Sequence, residues 1–175
     1  PYVDVRASFA SFIPAVLNEG LAGRLLAHYS EQLTACPELH DKVEFDIIPT
    51  CLTPGFTAWA ERLASNGGFS KADIADLKDA LQDITLAAME RCDGDYAQLE
   101  KLEKRHAQIM EADMDPLERA RLLLANCRRY GALPFAHLAR SGFVAVALLR
   151  GAENSGAISS AARTAFMSRI RTVSH

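Results

Sequence analysis

Apolar residues that recur every three or four positions run through most of this 175-residue chain, and that period favours helices over strands. Leu21, Leu25, Tyr29 and Leu33 form one buried stripe, with Ala22 and Leu26 beside it, and Pro37 stops it. Ile74, Leu77, Leu81 and Ile84 form another. Tyr96, Leu99, Leu102 and His106 continue the spacing through Glu100-Lys101-Leu102-Glu103-Lys104-Arg105. Charges of both signs at that density mark a solvated helix face, with Glu100 and Lys104 one turn apart. The most apolar helix is expected from Phe135 to about Ala152, and a last one, capped by Ser159 or Ser160, holds Ala162, Phe166 and Ile170.

Punctuation residues divide these stripes. Asn66-Gly67-Gly68 ends a helix that runs through Trp59 and Leu63. Ser70 followed by Asp73 resembles a capping box with a shortened acid. Asp93-Gly94 is read as a chain break, and Gly131 as a helix stop after Tyr130. Asp115-Pro116-Leu117-Glu118 combines an N-cap acid, a proline at the first helical position and a glutamate in the first turn. Two short stretches alternate instead: Val43 to Ile48, ended by Pro49, and Tyr2 to Arg6. The expectation is a mainly α single domain over residues 1–175, a bundle of about six helices with a short N-terminal strand pair.

Composition narrows the function classes. Apolar residues make up 49% of the chain, enough for a core at this length. Nineteen basic and 22 acidic residues balance, so no nucleic-acid footprint is expected. The longest apolar run, Phe143 to Leu149, is closed by Arg140 and Arg150 and falls short of the ~18–20 residues of a bilayer span. It reads as a buried core helix, with no membrane partner. The start at Pro1-Tyr2-Val3-Asp4, without methionine or a signal region, fits an excised or processed segment. Cys36, Cys51, Cys92 and Cys127 lack metal or redox spacing and read as reduced, mostly buried thiols of a cytoplasmic protein.

Two stretches depart from core-filling patterns. In Leu39-His40-Asp41-Lys42-Val43-Glu44-Phe45-Asp46, a strand would set Lys42, Glu44 and Asp46 on one face. That face is either the wall of a cleft or a solvated surface with ordinary ion pairs. In Tyr130 to Arg140, Pro134 marks a helix start, and His137 and Arg140 lie one turn apart near it. They either meet one anionic group or sit in a buried ion pair. Arg6 is a third cation of this kind. His28 and His106 fall on amphipathic helices, and His175 is terminal. No glycine-rich phosphate loop, dinucleotide fingerprint, nucleophile elbow or metal-spaced histidine pair is present, so no cofactor or metal site is expected within the chain.

Several blocks, in order, resemble a known group. They are Pro1-Tyr2-Val3-Asp4-Val5-Arg6-Ala7-Ser8-Phe9 with Ser11-Phe12-Ile13-Pro14-Ala15, Leu39 to Phe45, Leu99 to Glu103, Arg129 to Ala136 with Leu138-Ala139-Arg140, and Phe166-Met167-Ser168, Ile170 and Thr172-Val173-Ser174. The chain is similar along these blocks to phosphoenolpyruvate-synthase-like phosphotransferases, which often accompany capsule and surface-polysaccharide genes and include glutamine kinases. The resemblance implies a central helical segment between an ATP-grasp domain, which binds ATP and Mg, and a mobile domain whose histidine carries phosphate to an acceptor such as glutamine or pyruvate. On that reading the phosphohistidine lies outside this chain, and the segment alone is inactive. Its implied work is to hold the acceptor, with Arg6, Lys42, Glu44, His137 and Arg140 as substrate-binding residues and no assigned catalytic one. A non-catalytic helical scaffold for domain or subunit contacts is the alternative, and apolar surface covered in the parent would drive self-association of the segment. Pro49-Thr50-Cys51-Leu52-Thr53-Pro54 departs from the group, whose members tend to carry an aromatic-containing, proline-poor stretch there.

Overall fold

A computed structural model describes residues 4–170, and among these it is entirely helical. Eight α-helices follow in order: α1 Val5–Ala10, α2 Glu19–Ala35, α3 Phe56–Gly67, α4 Lys71–Glu90, α5 Cys92–Glu111, α6 Pro116–Asn126, α7 Leu133–Asn154 and α8 Ser160–Met167. The helical bundle is as expected, with more helices than the six read from the period.

The strand pair does not form among the described residues. Tyr2 and Val3 lie outside them, while Val5 and Arg6 open α1 behind Asp4, whose carboxylate accepts from Ala7 N–H at 3.0 Å. Val43–Ile47 is a π-helical turn closed by Ile48 N–H to Val43 C=O at 2.9 Å. The wide turn brings Val43, Ile47 and Ile48 into the core together, which alternation along a strand would not. Burial of all three overrides β propensity where no partner strand is available.

Local signals set most helix ends. Asn18 caps α2 through Leu21 N–H at 2.9 Å, and Asp115 caps α6 through Leu117 N–H at 2.8 Å. Ser70 and Asp73 form a reciprocal capping box, the Asp73 carboxylate taking Ser70 N–H at 2.9 Å and Ser70 Oγ taking Asp73 N–H at 3.1 Å. Arg24 also bonds Asp73; this contact, with Ser70 behind it, holds the carboxyl down at about 2. Gly68, at φ 64°, supplies the left-handed residue that ends α3.

Two stops fall elsewhere than expected. The break between α4 and α5 is at Arg91, and Asp93-Gly94 sits in the first turn of α5, where aspartate complements the helix dipole. Gly131 does not end α6. It lies in a π-helical segment, Cys127–Ala132, that passes directly into α7. The widened turn accommodates Pro134, which has no N–H for the ladder. A Cβ on Gly131 would stand 3.2 Å from Leu102, so the glycine also lets this segment approach α5.

The chain divides into two compact units, Pro1–Thr85 with Val144–His175, and Leu86–Phe143, the boundaries falling inside α4 and α7. The first unit holds the main core: Phe9, Leu21, Leu25, Tyr29, Val43, Ile47, Ile48, Phe56, Leu63, Phe69, Leu77 and Leu81. The second packs α5, α6 and the π-helical segment against one another. Its buried polar residue Asn126 joins them, accepting from Arg105 Nε and donating to Leu102 C=O, both at 3.2 Å.

Of the apolar run read as buried core, Val144 is buried, Val146 to Leu149 are half-buried, and Phe143 and Ala145 are exposed. The continuous helical stretch Pro116–Asn154 is long and apolar enough to cross a membrane by length and composition, and 11% of its most apolar window is buried. Apolar side chains on several sides of one helix cannot all be covered by packing along a single face.

Candidate functional site

In the first unit, a cleft of about 260 Å³ opens between the π-helical turn, the segment after it, α3 and the C-terminal end of α7. The wall that follows the turn is anchored from below. Thr85, buried on α4, donates to Leu81 C=O at 2.7 Å and accepts from Leu52 N–H at 2.9 Å. One hydroxyl thus satisfies a backbone donor that would otherwise be stranded beside the core. Gly151 sets the approach of α7: a Cβ there would lie 2.9 Å from Pro54 Cδ and 3.0 Å from Thr53 Cβ.

The cleft is polar and charge-balanced. Glu44 and Asp46 come from the π-helical turn, Arg62 from α3 and Arg150 from α7, with Thr50, Thr53 and Asn154 between them. Each arginine lies on an aromatic face, Arg62 at 3.9 Å from the Trp59 ring centre and Arg150 at 4.3 Å from that of Phe45. Stacking restrains each guanidinium while leaving its edge donors for a ligand. Burial pushes the Cys51 thiol up to about 11, against a smaller opposing effect of Thr50. At neutral pH it is a protonated wall atom rather than a nucleophile.

Of the residues singled out in the sequence, Glu44 lines this cleft. Lys42 immediately precedes the turn and is exposed, and Arg6 is exposed on α1; neither belongs to the lining. The turn puts Glu44 and Asp46 on the cleft without a strand. His137 and Arg140 belong to the second unit, where both are half-buried. The sequence reading missed Arg62, whose spacing three after Trp59 is the signal, and saw Arg150 only as the end of an apolar run. Proline-bounded residues 49–54 contribute Pro49, Thr50, Cys51 and Thr53 to the wall.

His137 has a partner that spacing could not reveal. Its Nδ1 lies 3.0 Å from Oδ1 of Asp95, which is buried, and Arg91 Nε lies 3.8 Å from the other carboxylate oxygen. The carboxylate only accepts, so Nδ1 donates. Asp95 Oδ2 and Arg91 Nε are buried without hydrogen-bond partners. Ser141 Oγ, one turn after His137, and Cys92 Sγ both donate to Ala88 C=O, at 3.3 and 3.2 Å.

Among the described residues all four cysteines are free, with Cys51 buried, Cys36 and Cys92 half-buried and Cys127 exposed. No cluster of three or more histidine, cysteine or acidic side chains suited to a metal occurs among them. Comparison with family models, curated proteins and solved structures finds no match for this chain.

Proposed function

We propose that this chain is the acceptor-holding helical segment of a phosphoenolpyruvate-synthase-like phosphotransferase, with the acceptor seated in the cleft of the first unit. The observation that supports this most is the pairing of two aromatic-stacked arginines with two carboxylates in one small concavity. Phosphoryl transfer depends chiefly on positioning and charge stabilisation, so a segment without nucleophile or nucleotide loop still contributes by presenting the acceptor. Arg62 and Arg150 would hold a carboxylate, and Glu44 and Asp46 an ammonium group. That division of charge suits glutamine better than pyruvate, which has no cation to offer the two acids. ATP, Mg and the phosphohistidine belong, on this reading, to other domains of the parent, as does a role in polysaccharide biosynthesis in the cytoplasm. The walls at Pro49 to Pro54, where the sequence departs from its group, would be the place where acceptor preference differs.

Calorimetric titration of glutamine and of pyruvate into the chain tests this reading. Saturable glutamine binding that Arg150→Ala and Glu44→Ala each abolish, with folding intact, is the expected result. Absence of binding by either compound would leave the scaffold reading, which has its own support in the second unit. Leu117, Leu124, Leu133 and Phe135 there are each more than half exposed. Sedimentation showing association that grows with protein concentration would favour that alternative.

A further inference from the structure

The cluster of Arg91, Asp95 and His137 in the second unit has the features of a built site rather than of an incidental ion pair. Asp95 is its centre: the side chain is nine-tenths buried, and one oxygen orients the imidazole through Nδ1 at 3.0 Å. The other oxygen is buried and makes no hydrogen bond, although Arg91 Nε stands 3.8 Å away and is itself unpartnered. Leaving both atoms unsatisfied is unfavourable, and a purely structural pair would have closed that gap. The neighbouring backbone is held in place, since Ser141 and Cys92 meet at the Ala88 carbonyl. His137 and Arg91 are each about one-third exposed at the side chain, at 35% and 33%, while the acid behind them is not. A guanidinium and an imidazole, both partly exposed, therefore flank a buried carboxylate.

We infer that Arg91 and His137, oriented by Asp95, form a binding site for the phosphate group of a small phosphate monoester. His137 Nε2 and the terminal nitrogens of Arg91 are the donors, and Arg91 Nε closes onto Asp95 Oδ2 when the guanidinium is engaged. One donor comes from the junction between α4 and α5 and the other from α7, and donors from separate segments suit a tetrahedral oxyanion; a planar carboxylate is best met by one guanidinium edge. Phosphate esters also ionise a second time near pH 6, so at neutral pH they offer these donors more negative charge than a carboxylate does. Asp95 is a positioning residue here, touching the two donors and not the ligand. The site lies wholly within the second unit and does not depend on the acceptor cleft of the first.

The test uses the whole chain with ring-¹⁵N-labelled histidine, titrated with inorganic phosphate and, separately, with acetate at matched ionic strength. The expected result is a saturable shift of the His137 Nε2 resonance with phosphate and a markedly weaker response to acetate. Asp95→Asn and Arg91→Gln should each weaken phosphate binding about ten-fold or more, the loss of one charged hydrogen bond. Arg128→Gln, an exposed arginine of the same unit, should leave the affinity unchanged. Shifts that rise linearly without saturation, equal binding of acetate, or an equal effect of Arg128→Gln would each overturn the inference. Backbone amide spectra report whether Asp95→Asn retains the fold; if it does not, Arg91→Gln alone decides the outcome.

Discussion

The two units use the same helical period with opposite economy. Among the described residues, 17 apolar side chains other than proline are buried, and only Ala88 and Ile109 of these belong to the second unit. That unit carries ten of the 15 large apolar side chains that are exposed. Its own interior relies on polar joints instead, Asn126 between α5 and α6 and Asp95 beneath His137. The first unit is stabilised by burial of apolar area, worth about 25 cal/mol per Å². The second relies more on hydrogen bonds, whose net contribution is only about 1 kcal/mol each but whose loss strands a buried group. Periodicity thus indicates where a helix forms and leaves open how much of its apolar face is covered.

The sharpest way to break this contrast is to truncate one leucine in each unit. Leu81→Ala, at a site with no exposure, should cost ~2–5 kcal/mol in denaturant unfolding. Leu124→Ala, at 72% exposure, should change stability by less than about 0.5 kcal/mol in the same experiment. Asn126→Ala asks whether the second unit depends on its polar joint. It removes the partner of both Arg105 and Leu102, and about 1–3 kcal/mol of destabilisation is expected. Gly151→Ala should cost a similar ~1–3 kcal/mol by forcing a Cβ against Pro54 and Thr53, and it should also weaken any ligand of the cleft. A gain is expected at Tyr29→Phe, because the Tyr29 hydroxyl is buried without a partner; removing it should stabilise the first unit by ~1 kcal/mol in thermal unfolding.

The smallest effect is a pH dependence. Burial lowers the titration of His28 below its ordinary 6.5, against an opposing attraction from Glu31. The unfolded chain therefore takes up this proton first as pH falls. The contribution of His28 to stability is present above pH 6.5 and declines as pH drops from there toward the folded value. Unfolding midpoints measured between neutral pH and pH 5 should fall less steeply in His28→Gln than in the parent chain. Equal slopes would remove His28 from the account.

Much of the architecture was legible. The stripe Leu21, Leu25 and Tyr29, the cap at Asp115, the box at Ser70 and Asp73 and the stop at Gly68 all depend on neighbours within a few residues, and all form as read. Val43 to Ile48 misled because alternation is also compatible with a π-helical turn that buries positions 43, 47 and 48 together. At Gly131 the expected stop failed because a glycine can serve close packing as readily as chain reversal. The candidate site was legible at Glu44 and His137 as polar residues out of pattern. Their partners were not, since Arg150 and Asp95 lie 106 and 42 positions away in sequence.

By itself the sequence determined that this chain is helical, where most of its helices begin and end, and which apolar stripes were available for burial. Those properties follow from dihedral preference, capping hydrogen bonds and period, all of them local. Only the tertiary structure decided which stripes are covered, that Arg62 and Arg150 share one cleft with Glu44 and Asp46, and that Asp95 stands behind His137. Burial and charge pairing are properties of side chains brought close in space, and no spacing along the chain encodes that distance.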